Sequence, residues 1–320
     1  MRFIVALFVC TVAGVSVAAA AEVCPGNPDA LGTSRVLTIN PGEFTRLGTV
    51  QYKQTLPLKD HEVVLTFDDG PLPPYSDIIL DALASQCVKA TYFLVGQMAH
   101  AYPSIVRRIY NEGHTIGTHS QHHPHAFELL SMQRVEREVD VGINSVTAAL
   151  GDANALSPFF RLPGFGRTNA IERFLENKQL VTWSADVDTN DWWRGSTPGA
   201  IVKRAMRRLD AKGRGIILMH DIHRATAMAL PILLRELKAN GYHVVHVTAA
   251  GERPKSLPEL MALPTTDGRV SLTVQTSDSS DSSVTRQSHR IRKRSESRHH
   301  AVHSYYPGGL SDDRMSAFGQ

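Results

Sequence analysis

This chain of 320 residues has little charge of one sign, few cysteines and only one long apolar run. Lysine and arginine number 34 against 31 acidic residues, a formal excess of +3. That excess lies at the ends: residues 22–264 carry 25 basic and 25 acidic side chains, and Arg2 and the last 56 residues hold the rest. A nucleic-acid binder concentrates basic charge on its folded body, so the neutral body excludes that class of partner. Glycine (23) and proline (17) are too sparse for a collagen-like chain. With 42% apolar and 20% charged residues, the composition is that of a globular protein and not of a coiled coil or a fully disordered chain. A multi-span membrane protein is excluded because one apolar run cannot supply several spans.

That run is at the start. Met1-Arg2 is a short positive opening, residues 3–17 are apolar, and residues 18–21 are the alanines expected at a peptidase site. Residues 1–21 therefore read as a secretory signal peptide, with an uncleaved anchor as the alternative. The mature protein is expected to be exported, periplasmic or extracellular, with no stable membrane span after cleavage. Of the three cysteines, Cys10 lies in the signal, and the even remainder, Cys24 and Cys87, suits a disulfide in an oxidising compartment.

The far end differs. Residues 265–320 hold only eight Leu, Ile, Val or Phe in 56, too few to offset the entropy of ordering the segment. Residues 251–320 read as a linker and a disordered Ser/Arg-rich tail. Its basic stretch at 286–298 suits weak contact with an anionic cell surface, with a solvated tail as the alternative.

Between the ends, residues 22–53 read as an N-terminal extension and 54–250 as one domain. Strand-like segments at 61–67, 89–95, 115–118, 159–162, 180–185, 215–219 and 242–247 alternate with helical patterns at 76–85, 104–111, 132–150, 169–176, 198–211 and 225–240. Such alternation predicts an α/β fold with a parallel sheet, and seven strands in one domain favour an irregular barrel. In such a barrel the reactive groups gather at the carboxyl ends of the strands. Here the strand ends deliver Asp68 and Asp69, residues 119–123, Arg161, Asp191 with Trp192, and His220 with Asp221.

Asp69, His119 and His123 form a candidate metal set. Two histidines four apart share a side when the segment makes a helical turn, and three protein ligands leave a position open for water or substrate. Taken alone, a His-rich loop is more often a surface feature; the paired aspartates on the neighbouring strand argue for a site. Successive strand residues point to opposite sides, so Asp69 is expected to ligate metal while Asp68 faces a water as general base. His220 suits a general acid, with Asp191 as the neighbour that stabilises its imidazolium.

Five segments in order, T-F-D-D-G-P (66–71), H-S-Q-H-H (119–123), R-L-P-G (161–164), D-T-N-D-W (188–192) and L-M-H-D (218–221), resemble the motifs of the polysaccharide deacetylases, the NodB-homology family or carbohydrate esterase family 4. The resemblance implies a distorted (β/α)7 barrel and a divalent metal cofactor, usually zinc. It implies Asp68 as base, Asp69, His119 and His123 as metal ligands, and His220 as acid. Arg161 would orient the base, Asp191 would tune the acid, and Trp192 and Leu218 would wall the acetyl methyl. The Gly164 N–H would bind the oxyanion. Many members have an aromatic where this chain has Gly164, with Phe165 following. The implied function is hydrolysis of N-acetyl groups on β-1,4-linked N-acetylglucosamine oligomers or polymers, such as chitooligosaccharides. An acetyl-xylan esterase or a peptidoglycan deacetylase of the same family is the nearest alternative. A carbohydrate- or metal-binding periplasmic protein without catalysis is the alternative from another class. The implied partner is the N-acetylated glycan substrate.

Overall fold

A computed structural model of the chain describes residues 24–250. The expected signal peptide, linker and tail lie outside the described residues. The strands, in chain order, are β1 (Thr33–Ile39), β2 (Arg46–Leu47), β3 (Glu62–Asp68), β4 (Thr91–Leu94), β5 (Thr115–Thr118), β6 (Phe159–Arg161), β7 (Val181–Trp183), β8 (Val187–Asp188), β9 (Gly215–His220) and β10 (His243–Ala249). The helices are α1 (Tyr75–Ser85), α2 (Gly96–Ala101), α3 (Pro103–Asn111), α4 (Met132–Leu150), α5 (Asn169–Asn177), α6 (Pro198–Lys212) and α7 (Arg224–Ala239).

All strand pairings are parallel. The ladder β8-β9-β3-β4-β5-β6-β7 forms the barrel wall, and the consecutive strands β7 and β8 do not pair, which leaves the barrel interrupted there. The α/β parallel barrel expected from the alternation is present in this distorted form. Its seventh strand is the short β8. The segment expected in that role, β10, pairs with β3 only at His243 and Val244 and otherwise pairs with β1. The residues before 54, read as an extension, supply β1 and β2 to the same sheet. β1 eluded the pattern because it is an edge strand: only Ile39 of its seven residues is fully buried, so it carries no apolar run.

Strand alternation separates two cores. On β3, Val63, Leu65 and Phe67 pack outward with Tyr92, Ile116, Ile217 and the helices. Val64 points inward, in a smaller cluster with Phe93, Phe159, Trp183, Ile216 and Val247. The period of two then carries Thr66 and Asp68 onto the inner face too, along with Arg161 on β6 and Leu218 and His220 on β9. The helices bury stripes at helical spacing, such as Val135, Val139, Ile143 and Val146 on α4. Starts are set by caps: Thr168 accepts the Ile171 N–H, and Thr197 accepts the Ala200 N–H ahead of Pro198. Cys24 and Cys87 form a disulfide, Cα atoms 5.6 Å apart, which ties the start of the described chain to the segment after α1. Among the described residues, no helix is long and apolar enough to cross a membrane.

Candidate active site

The inner faces of β3, β6 and β9 and the loops after β5 and β8 converge at the carboxyl end of the barrel. Arg161, fully buried, anchors this end: Nη1 donates to Asp68 Oδ1 (2.6 Å) and Thr66 Oγ1 (2.9 Å), and Nη2 donates to the Ser184 carbonyl (2.9 Å). Its guanidinium lies over the Phe93 ring, 4.2 Å from the centroid. Burial pulls the arginine below its ordinary value and the Asp68 carboxylate opposes that pull. A buried pair of this kind is costly to desolvate and strongly destabilising to break on one side only. It fixes the direction of Asp68 more than it stabilises the fold.

Asp68 and Asp69 do not point to opposite sides as strand geometry predicts. Asp68 Oδ2 lies 3.8 Å and Asp69 Oδ1 lies 3.4 Å from the same nitrogen, His119 Nε2. The reason is the backbone: Asp69 is left-handed (φ 77°), so alternation stops at Asp68 and the second carboxylate swings back over the barrel mouth. Gly70 follows because a Cβ there would sit 2.1 Å from the carboxylate oxygens of Asp221.

His119 and His123 come together without the helical turn expected of them. Residues 119–123 form an irregular loop in which Ser120 (φ 63°) and His123 (φ 50°) are left-handed, and this bend, not an α-helical pitch, brings the rings to 4.8 Å between centroids. The His123 Nε2 lies 3.5 Å from Asp69 Oδ1. His119 Nδ1 is 2.6 Å from the Arg161 carbonyl. A carbonyl can only accept, so Nδ1 carries the proton and Nε2 presents a lone pair. Burial, opposed by Asp68, lowers His119 to about 4, so its closeness to the two carboxylates is not an ion pair at neutral pH.

The contacts of the metal set suit a bound cation. Asp69 Oδ1 is buried with no hydrogen-bond donor, and ligand atoms of Asp69, His119 and His123 lie within 4.8 Å of one another. Asp69 Oδ1 and His119 Nε2 face each other as acceptors without a proton between them, which is unfavourable until a cation is shared. The second partner of His119, the Arg161 carbonyl, is the kind of contact that orients a ligating imidazole.

Across the mouth, Asp191 grips His220 at two points. Oδ1 lies 2.8 Å from Nδ1 of the ring, and Oδ2 accepts the His220 backbone N–H (2.7 Å) and the Thr226 hydroxyl (2.6 Å). Burial disfavours the imidazolium, but Asp191 and then Asp69 and Asp68 outweigh it and raise His220 to about 10. Asp191 itself is held below the usual carboxylate range, burial being outweighed by His220 and the Thr226 bond.

Of the remaining expected residues, Leu218 is buried two positions before His220 on the same inner face. Gly164 sits on an exposed left-handed turn (φ 54°) just past β6, followed by Phe165, also left-handed (φ 59°). Trp192 is 53% exposed beside Trp193, 46% exposed, their rings perpendicular at 6.1 Å. Trp183 is fully buried against Phe93 and Phe159 in the inner core, away from the solvent-exposed pair.

Several supporting residues were given no role from sequence. Asp221, buried beneath Gly70, accepts the Ser76 hydroxyl at 2.5 Å and is pushed up to about 7 by burial, against that hydrogen bond. Arg204 donates to the Thr189 and Asn190 carbonyls (2.7 and 3.1 Å) and lies over Trp193, bracing the loop that carries Asp191. Glu138 meets the loop between His119 and His123. Asp221 closes the fifth motif at 218–221, which placed it at the rim without showing its burial against Gly70 and Ser76; the two helix residues carried no signal.

A family model described as polysaccharide deacetylase matches residues 55–182. The Listeria monocytogenes peptidoglycan-N-acetylglucosamine deacetylase PgdA is 35% identical over 185 residues, covering 58% of this chain and 38% of that protein, so this chain spans about two fifths of that relative's length. A Bacillus cereus peptidoglycan-N-acetylglucosamine deacetylase is 34% identical over 214 residues, 64% of this chain and 74% of the relative. Among solved structures, the Bdellovibrio bacteriovorus peptidoglycan deacetylase Bd3279 superposes with a TM-score of 0.61 at 31% identity, covering 69% of this chain and 61% of that one.

Proposed function

Because this chain belongs to the polysaccharide deacetylase family, we propose that it hydrolyses N-acetyl groups on a β-1,4-linked N-acetylglucosamine glycan, the glycan strand of peptidoglycan in particular. The observation that carries the reading is the division of labour at one mouth: Asp68 is bonded to Arg161, Asp69 is left to two imidazoles, and His220 is held by Asp191. The peptidoglycan substrate is favoured over free chitooligosaccharides because the relatives are peptidoglycan deacetylases.

Asp69, His119 and His123 would hold a divalent ion, zinc by family resemblance, and that ion would supply Lewis acidity for the acetyl carbonyl and the attacking water. Asp68, aimed by Arg161, takes the proton of that water. The developing oxyanion is met by the Gly164 N–H. With Nδ1–H committed to Asp191, His220 turns its Nε2 proton to the site and delivers it to the departing nitrogen. The C–N bond breaks, acetate leaves, and the sugar keeps a free amine. General acid and general base are each worth about 10²–10⁴ in rate.

The firmness of the His220–Asp191 pair supports an amide over an ester substrate, since an amine must be protonated to leave and an alkoxide depends on this less. Action outside the cytoplasm is part of the proposal, supported by the signal-like residues 1–21 and by the Cys24–Cys87 disulfide. The test is acetate release by the D68N and H220A variants: both are expected to lose activity on N-acetyl glycans while still binding Zn2+. Full activity in either overturns its assigned role, and H220A retaining activity on acetyl esters alone favours the esterase.

A further inference from the structure

Resting on the reading that Asp69, His119 and His123 hold a divalent ion, we propose that Glu138 is a positioning residue for that site, clamping the backbone between the two histidine ligands onto α4. The loop has no ladder of its own and contains two left-handed non-glycine residues, a shape that local preference does not maintain. Its polar backbone groups are instead pinned from both sides. The Ser120 and Gln121 carbonyls accept the N–H groups of Gly96 and Gln97 at the start of α2, each at 2.9 Å. From α4, Glu138 Oε2 accepts the Gln121 N–H (3.2 Å) and the His122 N–H (2.9 Å), and Oε1 lies 2.9 Å from His122 Nδ1. The His123 N–H closes onto Ser120 Oγ at 3.0 Å.

One turn along the same face of α4, Gly142 makes the approach close enough. A Cβ there would lie 2.8 Å from the Ser120 carbonyl carbon, 2.9 Å from its oxygen and 3.0 Å from the Gln121 nitrogen. Residues four apart on a helix share a face, so Gly142 admits the loop and Glu138 supplies the acceptor. Glu138 touches neither ligand ring in any contact above. It acts through the two peptide groups that set where His123 stands relative to His119. His122 is the exposed member of the pair, its side chain 60% accessible, and the clamp works through its backbone.

The experiment is Zn2+ affinity of the full chain by competition with a chromophoric chelator, with the Co2+ absorption spectrum as a report on ligand geometry. E138A is expected to bind Zn2+ about 10–100-fold more weakly, the loss typical of removing a group that supports a ligand, with an altered Co2+ spectrum. E138Q keeps an amide oxygen for both N–H donors and is expected to stay within about threefold of the wild type, which assigns the effect to the acceptor. H122A leaves the donors in place and is expected to match the wild type. Should E138A not fold, G142A takes its place, since its Cβ pushes the same loop outward, and weakened Zn2+ binding with a folded circular-dichroism spectrum is expected. Wild-type affinity in E138A, or in a folded G142A standing in for it, overturns the clamp, and so does an equal loss in E138A and E138Q. A wild-type chain that fails to bind Zn2+ overturns the metal reading itself and the proposal with it.

Discussion

Replacing Asp191 by asparagine separates the acid from the rest of the site. The carboxylate uses both oxygens: Oδ1 faces His220 Nδ1, and Oδ2 takes a backbone N–H and a hydroxyl. An asparagine has one oxygen, and the fixed His220 N–H claims it, since a buried amide donor left unpaired is costly. The NH2 group then faces Nδ1, which must become an acceptor, and the ring is held neutral in the other tautomer. Lifting the imidazolium from 6.5 to about 10 corresponds to roughly 5 kcal/mol at 1.36 kcal/mol per pH unit. Asp191 supplies the largest favourable share, followed by Asp69 and Asp68. A metal ion on Asp69 withdraws part of that remainder, so the alkaline limb of kcat for the wild type is expected at or somewhat below pH 10. The acid form is the active one, and activity therefore falls as pH rises through this value. In D191N the limb moves toward or below neutrality and kcat at pH 7 drops by about 10²–10⁴, with substrate affinity and Zn2+ binding kept. Imidazole nitrogen NMR would record the change of tautomer. A D191N enzyme with wild-type kcat and an unmoved alkaline limb refutes the reasoning.

Three further outcomes follow from the same contacts. Arg161→Met leaves the Asp68 carboxylate buried without its partner; urea unfolding is expected to show a loss of about 3–5 kcal/mol and turnover to fall with it, and unchanged stability and rate would sink the pairing argument. The Cys24–Cys87 disulfide spans a sequence separation of 63, and a loop of that length is worth about 4 kcal/mol in the chain-entropy account. Denaturant midpoints with and without reductant should therefore separate clearly, and coincident midpoints count against a structural bond. In metal-free protein, the raised value of His220 contributes stability that is complete below its ordinary 6.5 and is lost as pH climbs through about 10; a melting temperature that rises over that interval contradicts the sign.

Much of the site was legible because strand alternation and ordered motifs are local signals. The ionisable groups ending β3, β6 and β9 share the inner face simply through the period of two. The same rule failed one residue later, where left-handed Asp69 brought the second carboxylate back to the first, since nothing in the D-D-G-P string fixes a sign of φ. Likewise the spacing of His119 and His123 suggested a helical turn, and the actual loop depends on α2 and α4, which are remote in sequence. β1 and β2 escaped notice because one is a half-exposed edge and the other is two residues long. Glu138, Arg204 and Ser76 act through backbone carbonyls, backbone N–H groups or a buried carboxylate supplied by other elements, so their roles arise only with the tertiary fold.

The central claim, a metal-dependent N-deacetylase built on Asp68, Asp69, His119, His123 and His220, is tested most directly by acetate release. Purified chain would be incubated with peptidoglycan, chitooligosaccharides and acetyl-xylan, before and after chelation and after Zn2+ is restored. Acetate and new amines are expected from the N-acetylated glycans, peptidoglycan foremost, abolished by the chelator and recovered with Zn2+. Acetate release indifferent to the chelator, or none from any N-acetylated glycan with Zn2+ present, would contradict it.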